Sequence, residues 1–527
     1  MKVGSIKSFL KWLFLVYLAI ALILLLTSSL IFDVTLNAFI LAMPFIVISL
    51  VYGIIYSMKS LRIIGTIAGI LYFSLVLVCS PIISYKSHRD LIGTVNEIEF
   101  SNEIEHIDLK QLPIIDTELA AKLADKKLGE IQSLGSQVTI GKLCLQSIKG
   151  ELYYVAPLEH SSMIKWLTNS KGTSGYIKVS ATNQNDVQLV TELNGNPLNI
   201  KYLESAYLFS DLTRAAYLRD MTAGHTDFTF ELDDEGTPYW VITRYDTAVG
   251  ISERKAIGAL ILNAQTGASE IYDIANLPAW VDRIQPTNYI VNYIDKWGEL
   301  VHGVFNFSDK DKLKSTGGMN LIFNKNECFY YSGITSVGND EGLVGFTLTN
   351  TRTGATKMYK TAGATESAAM KSAEGKVQQY GYKAIFPYLI NIQGEPTYFT
   401  TLKDSSGLVK QYAMINVKNY NTVGVGDTLQ GTLNKYLEAL TSTNISLEGT
   451  NKDETIQGEI ERIGVVVKEG TSIYDIKLKG QDQKIFSVST ETSRDVALSK
   501  VGDTVKIKYI NVGDSKYIMV DGFENIK

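Results

Sequence analysis

Gly236-Thr-Pro-Tyr-Trp240 followed by Leu262-Asn-Ala-Gln-Thr-Gly267 decides how this 527-residue chain is read, because both strings return further along it. Asn326-Glu-Cys-Phe-Tyr330 precedes Thr349-Asn-Thr-Arg-Thr-Gly354, and Gly394-Glu-Pro-Thr-Tyr398 precedes Ile415-Asn-Val-Lys-Asn-Tyr420. Gly150-Glu-Leu-Tyr-Tyr154 begins an earlier, more diverged copy. Each first string sets a turn former ahead of aromatics that suit a strand, then runs into apolar or β-branched residues. In the second strings, Asn263 and Asn350 lead to Gly267 and Gly354, which supply the positive φ that a tight reversal needs. Recurrence in a fixed order marks a repeated supersecondary unit. Tyr153, Tyr239, Trp240, Tyr330 and Tyr398 recur with it, and a shared place in the core explains them more simply than a ligand box. Tyr239 and Tyr398 are expected at equivalent buried positions.

A helix-like stretch precedes the strands of each copy. Thr117-Glu-Leu-Ala-Ala-Lys-Leu-Ala-Asp and Thr365-Glu-Ser-Ala-Ala-Met-Lys-Ser-Ala both place Thr as an amino-terminal cap before an alanine-rich run. Residues 203–221 and 294–302 are the candidates in the middle copies. The unit is therefore one helix and a small antiparallel sheet, an α+β layer, with copies over 86–200, 201–285, 286–362 and 363–440.

This combination resembles the PepSY-type module: a capped alanine-rich helix, a G-x-x-Y strand, and a strand ending in an N/D-A-x-T-G turn. The match is best over 203–274, with Asn263 where the family usually carries Asp. The resemblance implies an extracytoplasmic, non-catalytic module, associated in some members with restraining peptidases or with envelope proteins.

Past the last copy the texture changes. Residues 441–454 are rich in Thr, Ser, Asn and Gly and read as a linker. Residues 455–527 alternate in short runs at 455–460, 464–467, 473–478, 484–488, 505–509 and 517–520, and Val501-Gly-Asp-Thr504 is a turn. Short strands at this spacing resemble an OB-fold or SH3-like small barrel.

At the other end, 1–85 is nearly free of charge, with uncharged runs at 12–32, 36–56 and 63–84. Each is close to the ~20 residues a helix needs to cross a hydrocarbon core. Lys2, Lys7 and Lys11 flank the first run, and Lys59 and Arg62 lie between the second and third. The positive-inside rule then predicts a cytoplasmic amino terminus, three crossings and an extracytoplasmic remainder. Gly65 and Gly69 form a small-xxx-small pair that lets another helix approach closely. Contact within the chain is favoured over homo-oligomerisation.

Chemistry is sparse. A net charge of −5 gives no basic face for nucleic acid. His88, His106, His160, His225 and His302 lack ligand spacing, and no metal, phosphate-loop or nucleophile-elbow motif occurs. Val423-Gly-Val-Gly-Asp-Thr428 reads as a loop or strand bend. Glu231-Leu-Asp-Asp-Glu235 and Asn339-Asp-Glu341 read as solvated hairpin turns. Cys144 and Cys328 read as buried small apolar residues, with a bridge between them as the lesser alternative. No cofactor or catalytic residue is expected. The function expected is a membrane-anchored scaffold or interaction protein of the cell envelope. The alternatives are a PepSY-like peptidase regulator or a subunit of a transport or secretion assembly.

Overall fold

The computed structural model describes residues 6–26, 34–98, 112–131, 134–324, 327–338, 342–442, 453–468, 471–481, 484–490, 492–510 and 517–526. Lys2, His106, Asn326, the Asn339-Asp-Glu341 cluster and most of the expected 441–454 linker lie outside them; Thr441 and Ser442 instead end a helix, Leu429–Ser442.

Four sheets follow one antiparallel plan, the third gaining a parallel edge strand, Asn96–Ile98, against Thr356–Ala364. Glu151–His160, Pro238–Thr247, Glu327–Ser336 and Glu395–Lys403 are the long inner strands. Each hydrogen-bonds forward to the next strand in sequence, as in Pro238–Thr247 with Arg254–Asn263, and backward to the strand or strands before it. In the first, third and fourth sheets the preceding strand is broken in two, for example Lys383–Ala384 and Tyr388–Ile392. The second sheet keeps one strand there, Gly224–Leu232, and takes up the irregularity as a bulge.

One helix precedes each sheet: Thr117–Gly129, Leu212–Arg219, Thr287–Glu299 and Glu366–Lys376. Thr365 caps the fourth, accepting from Ala368 N at 3.4 Å. In the first, the cap is Asp116, which accepts from Leu119 N at 3.0 Å, and Thr117 is already helical. The shorter carboxylate takes the capping role because it stands one residue earlier and reaches the free amide. In the middle copies the expected 203–221 shortens to Leu212–Arg219, capped by Asp211, and the expected 294–302 moves back to begin at Thr287. Pro286 sets that start, since its fixed φ suits a helix entrance.

Strand register corrects the aromatic stripe. Tyr153 pairs with Ser180, Tyr239 with Asn263, Phe329 with Asn350 and Thr397 with Asn416. Tyr154, Trp240, Tyr330 and Tyr398 therefore share the next position, and Tyr239 is not the counterpart of Tyr398. One residue of offset turns a side chain to the other face of a sheet. Tyr398 is fully buried, whereas Tyr239 is half-buried and stacks on Trp280 at 5.2 Å.

The shared position has one task. Trp240 Nε1 donates to Tyr202 O at 2.8 Å, Tyr330 Oη to Gln285 O at 2.8 Å and Tyr398 Oη to Ala364 O at 3.2 Å. These carbonyls belong to the segments leading into the helices. Tyr202, Gln285 and Ala364 in turn donate their amides to Ala264 O, Thr351 O and Val417 O, each just past the strand-ending Asn. In the first copy Ile115 donates to Ala181 O. Helix entrance, inner strand and turn are thus tied at one point in every unit.

The turns are equally regular. Asn263 Oδ1 accepts from Gln265 N and Thr266 N, and Asn350 Oδ1 accepts from Arg352 N and Thr353 N. Gly267 and Gly354 then take φ of 73° and 77°. Ser180 Oγ does the same work for Thr182 N and Asn183 N, so the diverged first copy keeps the turn with a different side chain.

Units associate in pairs. Tyr153 and Val155 of the first share a core with Trp240, Leu260 and Leu262 of the second. Tyr331 and Phe346 of the third share one with Tyr398 and Ile415 of the fourth, where the Tyr331 and Tyr398 hydroxyls meet at 3.0 Å. The far face of the fourth sheet is covered by the helix Leu429–Ser442.

The last five strands, from Asp453–Lys468 to Tyr517–Asn525, close on one another around Ile460, Ile476, Phe486, Val505 and Ile507. The first of them is a single 16-residue strand and replaces the two separate ones expected at 455–460 and 464–467. It pairs with one neighbour through its first half and another through its second.

Four helices open the chain: α1 (Ile6–Leu26), α2 (Val34–Ile55), α3 (Lys59–Cys79) and α4 (Pro81–Arg89). Ile6–Ile23 and the stretch Lys59–Ile92 are long and apolar enough to cross a membrane, and Phe39–Ile55 is a shorter apolar helix. α1 starts six residues before the expected 12–32, and α3 ends at Cys79 rather than continuing to 84. Extended Ser80 before Pro81 breaks the run, because a residue ahead of proline is pushed out of the α region. Gly65 lies against Ser49 and Leu50 of α2, where an added Cβ would sit 3.0 Å from both, and Gly69 faces Ile46 at 3.6 Å.

Candidate functional site

A cleft of about 470 Å³ opens where the units converge. Its residues come from all four. Asp116, Thr117 and Glu118 belong to the start of the first helix, and Lys142, Leu143 and Leu145 to the adjoining strand and its approach. Asp227 comes from the second sheet, Tyr330 and Leu321 from the third, and Phe386 and Tyr388 from the fourth. Asn320 closes the seam between the last two by donating to Phe386 O at 3.2 Å and Pro387 O at 3.0 Å.

Tyr154 and Tyr330 face the cleft from the tying position of the first and third units. Burial pushes both phenols up to about 12, with Thr117 and Tyr388 beside one and Thr287 near the other. They remain neutral donors throughout the physiological range. Asp116 and Glu118 are met by Lys403, at 2.7 and 3.3 Å, so that corner is neutralised within the protein. Asp227 occupies the bulge of Gly224–Leu232 with φ of 47° and lies 4.0 Å from Lys142. A bulge re-aims one side chain out of the alternation, here into the cleft.

Behind this rim lies a group of ionisable residues that are far apart in sequence. Glu231 is 1% exposed; burial, then Asp282, push its carboxyl up to about 8. Thr229 Oγ1 donates to Glu231 Oε1 at 2.9 Å, and Oε2 has no partner. This corrects the reading of Glu231 as part of a solvated turn. Only Asp233, Asp234 and Glu235 form that turn, with Asp233 Oδ1 accepting from Glu235 N and Thr237 N. Asp282 accepts from Ser147 N at 2.6 Å, and burial raises it to about 6. Arg283, next in sequence, is half-buried and lines the cleft. Cys144 and Cys328 are buried and free, and burial raises both thiols. No group of three His, Cys, Asp or Glu among the described residues could hold a metal ion.

A second constellation joins the sheet units to the apolar helices. His88 of α4 is buried, with Nδ1 3.1 Å from Glu253 and Nε2 2.9 Å from Cys79 O. Lys296 and Asn292 of the third unit's helix also meet Glu253, the latter at 3.0 Å. Ser252 Oγ donates to Cys79 O at 2.8 Å, and Gly250 lies so close to Cys79 that any Cβ there would collide with its sulfur.

Of the repeat-signature residues singled out in the sequence, Tyr330 lines the cleft, while Tyr153, Tyr239, Trp240, Tyr398, Asn263, Gly267, Asn350 and Gly354 build the units, and Gly65 and Gly69 the α2–α3 contact. Arg283, Asp227 and Glu253 carried no motif by which to find them, and Glu231 stood in an acidic string whose other acidic members form the turn. Compared with known proteins, the chain matches no protein-family model and no curated protein.

Proposed function

We propose that this protein is a non-catalytic, membrane-anchored interaction protein whose soluble units stand outside the cytoplasm and dock envelope partners. The observation that carries this reading is the His88–Glu253–Lys296 lock, which fastens the second and third units to the helix leaving α3. A swinging tether needs no such buried contact, whereas a scaffold that presents its units at a set height above the bilayer does. On this reading α1, α2 and α3 all cross, with the amino terminus inside, as the lysine distribution favours. The closing strands at the carboxyl end act as a small OB-type barrel; their acidic and basic residues nearly balance, which favours a protein or polymer partner over nucleic acid.

A second reading, a PepSY-like regulator of an extracytoplasmic peptidase, is favoured by the helix-on-sheet units with their Asn-led turns. Cross-linking in cells followed by purification of the intact protein separates the two. Stoichiometric envelope proteins without protease activity support the scaffold, and a bound peptidase supports the regulator. Orientation is tested alongside. All three native cysteines are buried, so an impermeant maleimide should label only Asn185→Cys, and it should do so in unbroken cells. Labelling that requires permeabilisation overturns the orientation, and with it both readings.

A further inference from the structure

Arg283 makes no direct ion pair among the described residues, although Glu231 and Asp227 attract it through space. Among the described residues no carboxylate lies within ion-pair distance of its guanidinium and no acceptor within hydrogen-bonding distance. The neighbouring carboxylates are engaged elsewhere: Asp282 holds Ser147 N, Glu231 is kept largely protonated by burial at neutral pH, and Asp227 is shared with Lys142 at 4.0 Å. Its charge is held by the surroundings while its fork of donors is left without a direct partner, so an arginine placed this way on a cleft wall can take an anion supplied by an occupant. The planar fork of donors on arginine fits a carboxylate in a two-point geometry that lysine cannot reproduce.

The rest of the wall narrows the class. Leu143, Leu145, Leu321 and Phe386 offer apolar surface within the same cavity, enough for a hydrophobic side chain. Asn320, Thr117 and Thr287 offer hydrogen-bonding groups around it, suited to peptide amides rather than to an alkyl chain. Asp227 and Lys142 add charges of both signs at the rim. The volume falls in the range of small-ligand sites, about 300–1,000 Å³. Strain is stored here as well, since Asp227 holds a left-handed backbone conformation while aimed into the cleft.

We propose that the cleft between the units binds the carboxyl-terminal end of a peptide, its terminal carboxylate on Arg283 and an apolar last side chain against Leu143, Leu145, Leu321 and Phe386. This deepens the reading of the protein as a non-catalytic binder by naming what part of a partner it takes. Four units must be assembled to form the site, so recognition depends on their packing and no single unit would retain it.

The test uses the full-length protein in detergent with the probe N-acetyl-Ala-Leu as free acid and as carboxamide, measured by calorimetry with ligand-observed NMR. The acid is expected to bind at least tenfold more tightly than the amide. Arg283→Gln should abolish that preference, and Arg283→Lys, which keeps the charge and guards against a folding defect, should retain only part of it. Equal binding of acid and amide, no binding of either, or unchanged preference in Arg283→Gln overturns the proposal. So does inorganic phosphate that displaces the acid at equal concentration, which would mark a general anion hole. The probe is recovered afterwards: a hydrolysed probe sinks the non-catalytic reading and leaves the site standing, so the two failures are distinct.

Discussion

Glu231 shows how much one side chain can depend on what covers it. In the unfolded chain its carboxyl titrates near 4.5, and in the folded protein burial, with Asp282, pushes it up to about 8. Between those values the unfolded chain has released a proton that the folded one still holds. Stability is therefore fully present below about 4.5 and is lost as pH rises towards about 8. Glu231→Gln keeps the shape and the Thr229 contact while removing the ionisation. In urea titrations followed by tryptophan fluorescence, the parent should lose a few kcal/mol between pH 5 and pH 8, and the variant should lose markedly less. A parent with the same stability at both pH values would show that Glu231 ionises freely, against the burial described. Arg244 and Asp220 give the opposite case in the same unit. Burial works against the Asp220 charge, yet hydrogen bonds from Thr222 and Arg244 outweigh it and hold the carboxyl below its ordinary range. That contribution is present above the ordinary carboxylate pKa and fades only in acid.

Turns built alike need not tolerate change alike. Gly267 and Gly354 end equivalent strands with equivalent positive φ. An added Cβ at Gly354 would meet Gln285 Cδ at 3.4 Å, an ordinary contact, whereas at Gly267 it would fall into the Tyr202 ring. Gly354→Ala is thus expected to cost about 1–2 kcal/mol for the left-handed backbone alone. Gly267→Ala should cost a further ~1–3 kcal/mol from overpacking. Parallel urea melts of the two variants check this, and equal losses would mean that Tyr202 moves aside freely. Tyr202 is also the residue that ties its unit together through Trp240 and Ala264, so displacing it should loosen the helix entrance.

Across the full chain, the junction at Glu253 decides whether the sheet units and the apolar helices behave as one body. Glu253 is mostly buried and is met by His88, Lys296 and Asn292. Glu253→Ala leaves Lys296 and Asn292 without their acceptor, a loss of about 3 kcal/mol, as for other buried ion pairs. Spin labels at Lys86 and Lys255, both exposed, should report one narrow distance in the parent and a broad distribution in the variant. A narrow distribution in both would place the rigidity elsewhere, in the Ser252 and Gly250 contacts with Cys79.

Alternation of helix and sheet, the Asn-led turns and the apolar amino-terminal helices are all legible in the residues, because each depends on neighbours a few positions away. Thr365 caps its helix for a reason visible in four residues, and Pro81 acts where it stands. Local reading begins to fail where a choice depends on pairing. Tyr239 and Tyr398 look equivalent as letters, yet the partner strand puts them on opposite faces, since a slip of one residue inverts a strand. It fails completely at the cleft. Lys142, Asp227, Arg283, Tyr330 and Phe386 meet only after four sheets have packed in pairs, so no spacing announces them. Burial makes Glu231 neutral, and Arg283 meets the cleft without a direct ion pair; both follow from surfaces that arrive from distant parts of the chain. Secondary structure follows from short-range sterics and hydrogen bonding; the charge state and the ligand chemistry of this protein follow from desolvation, which only the packed units impose.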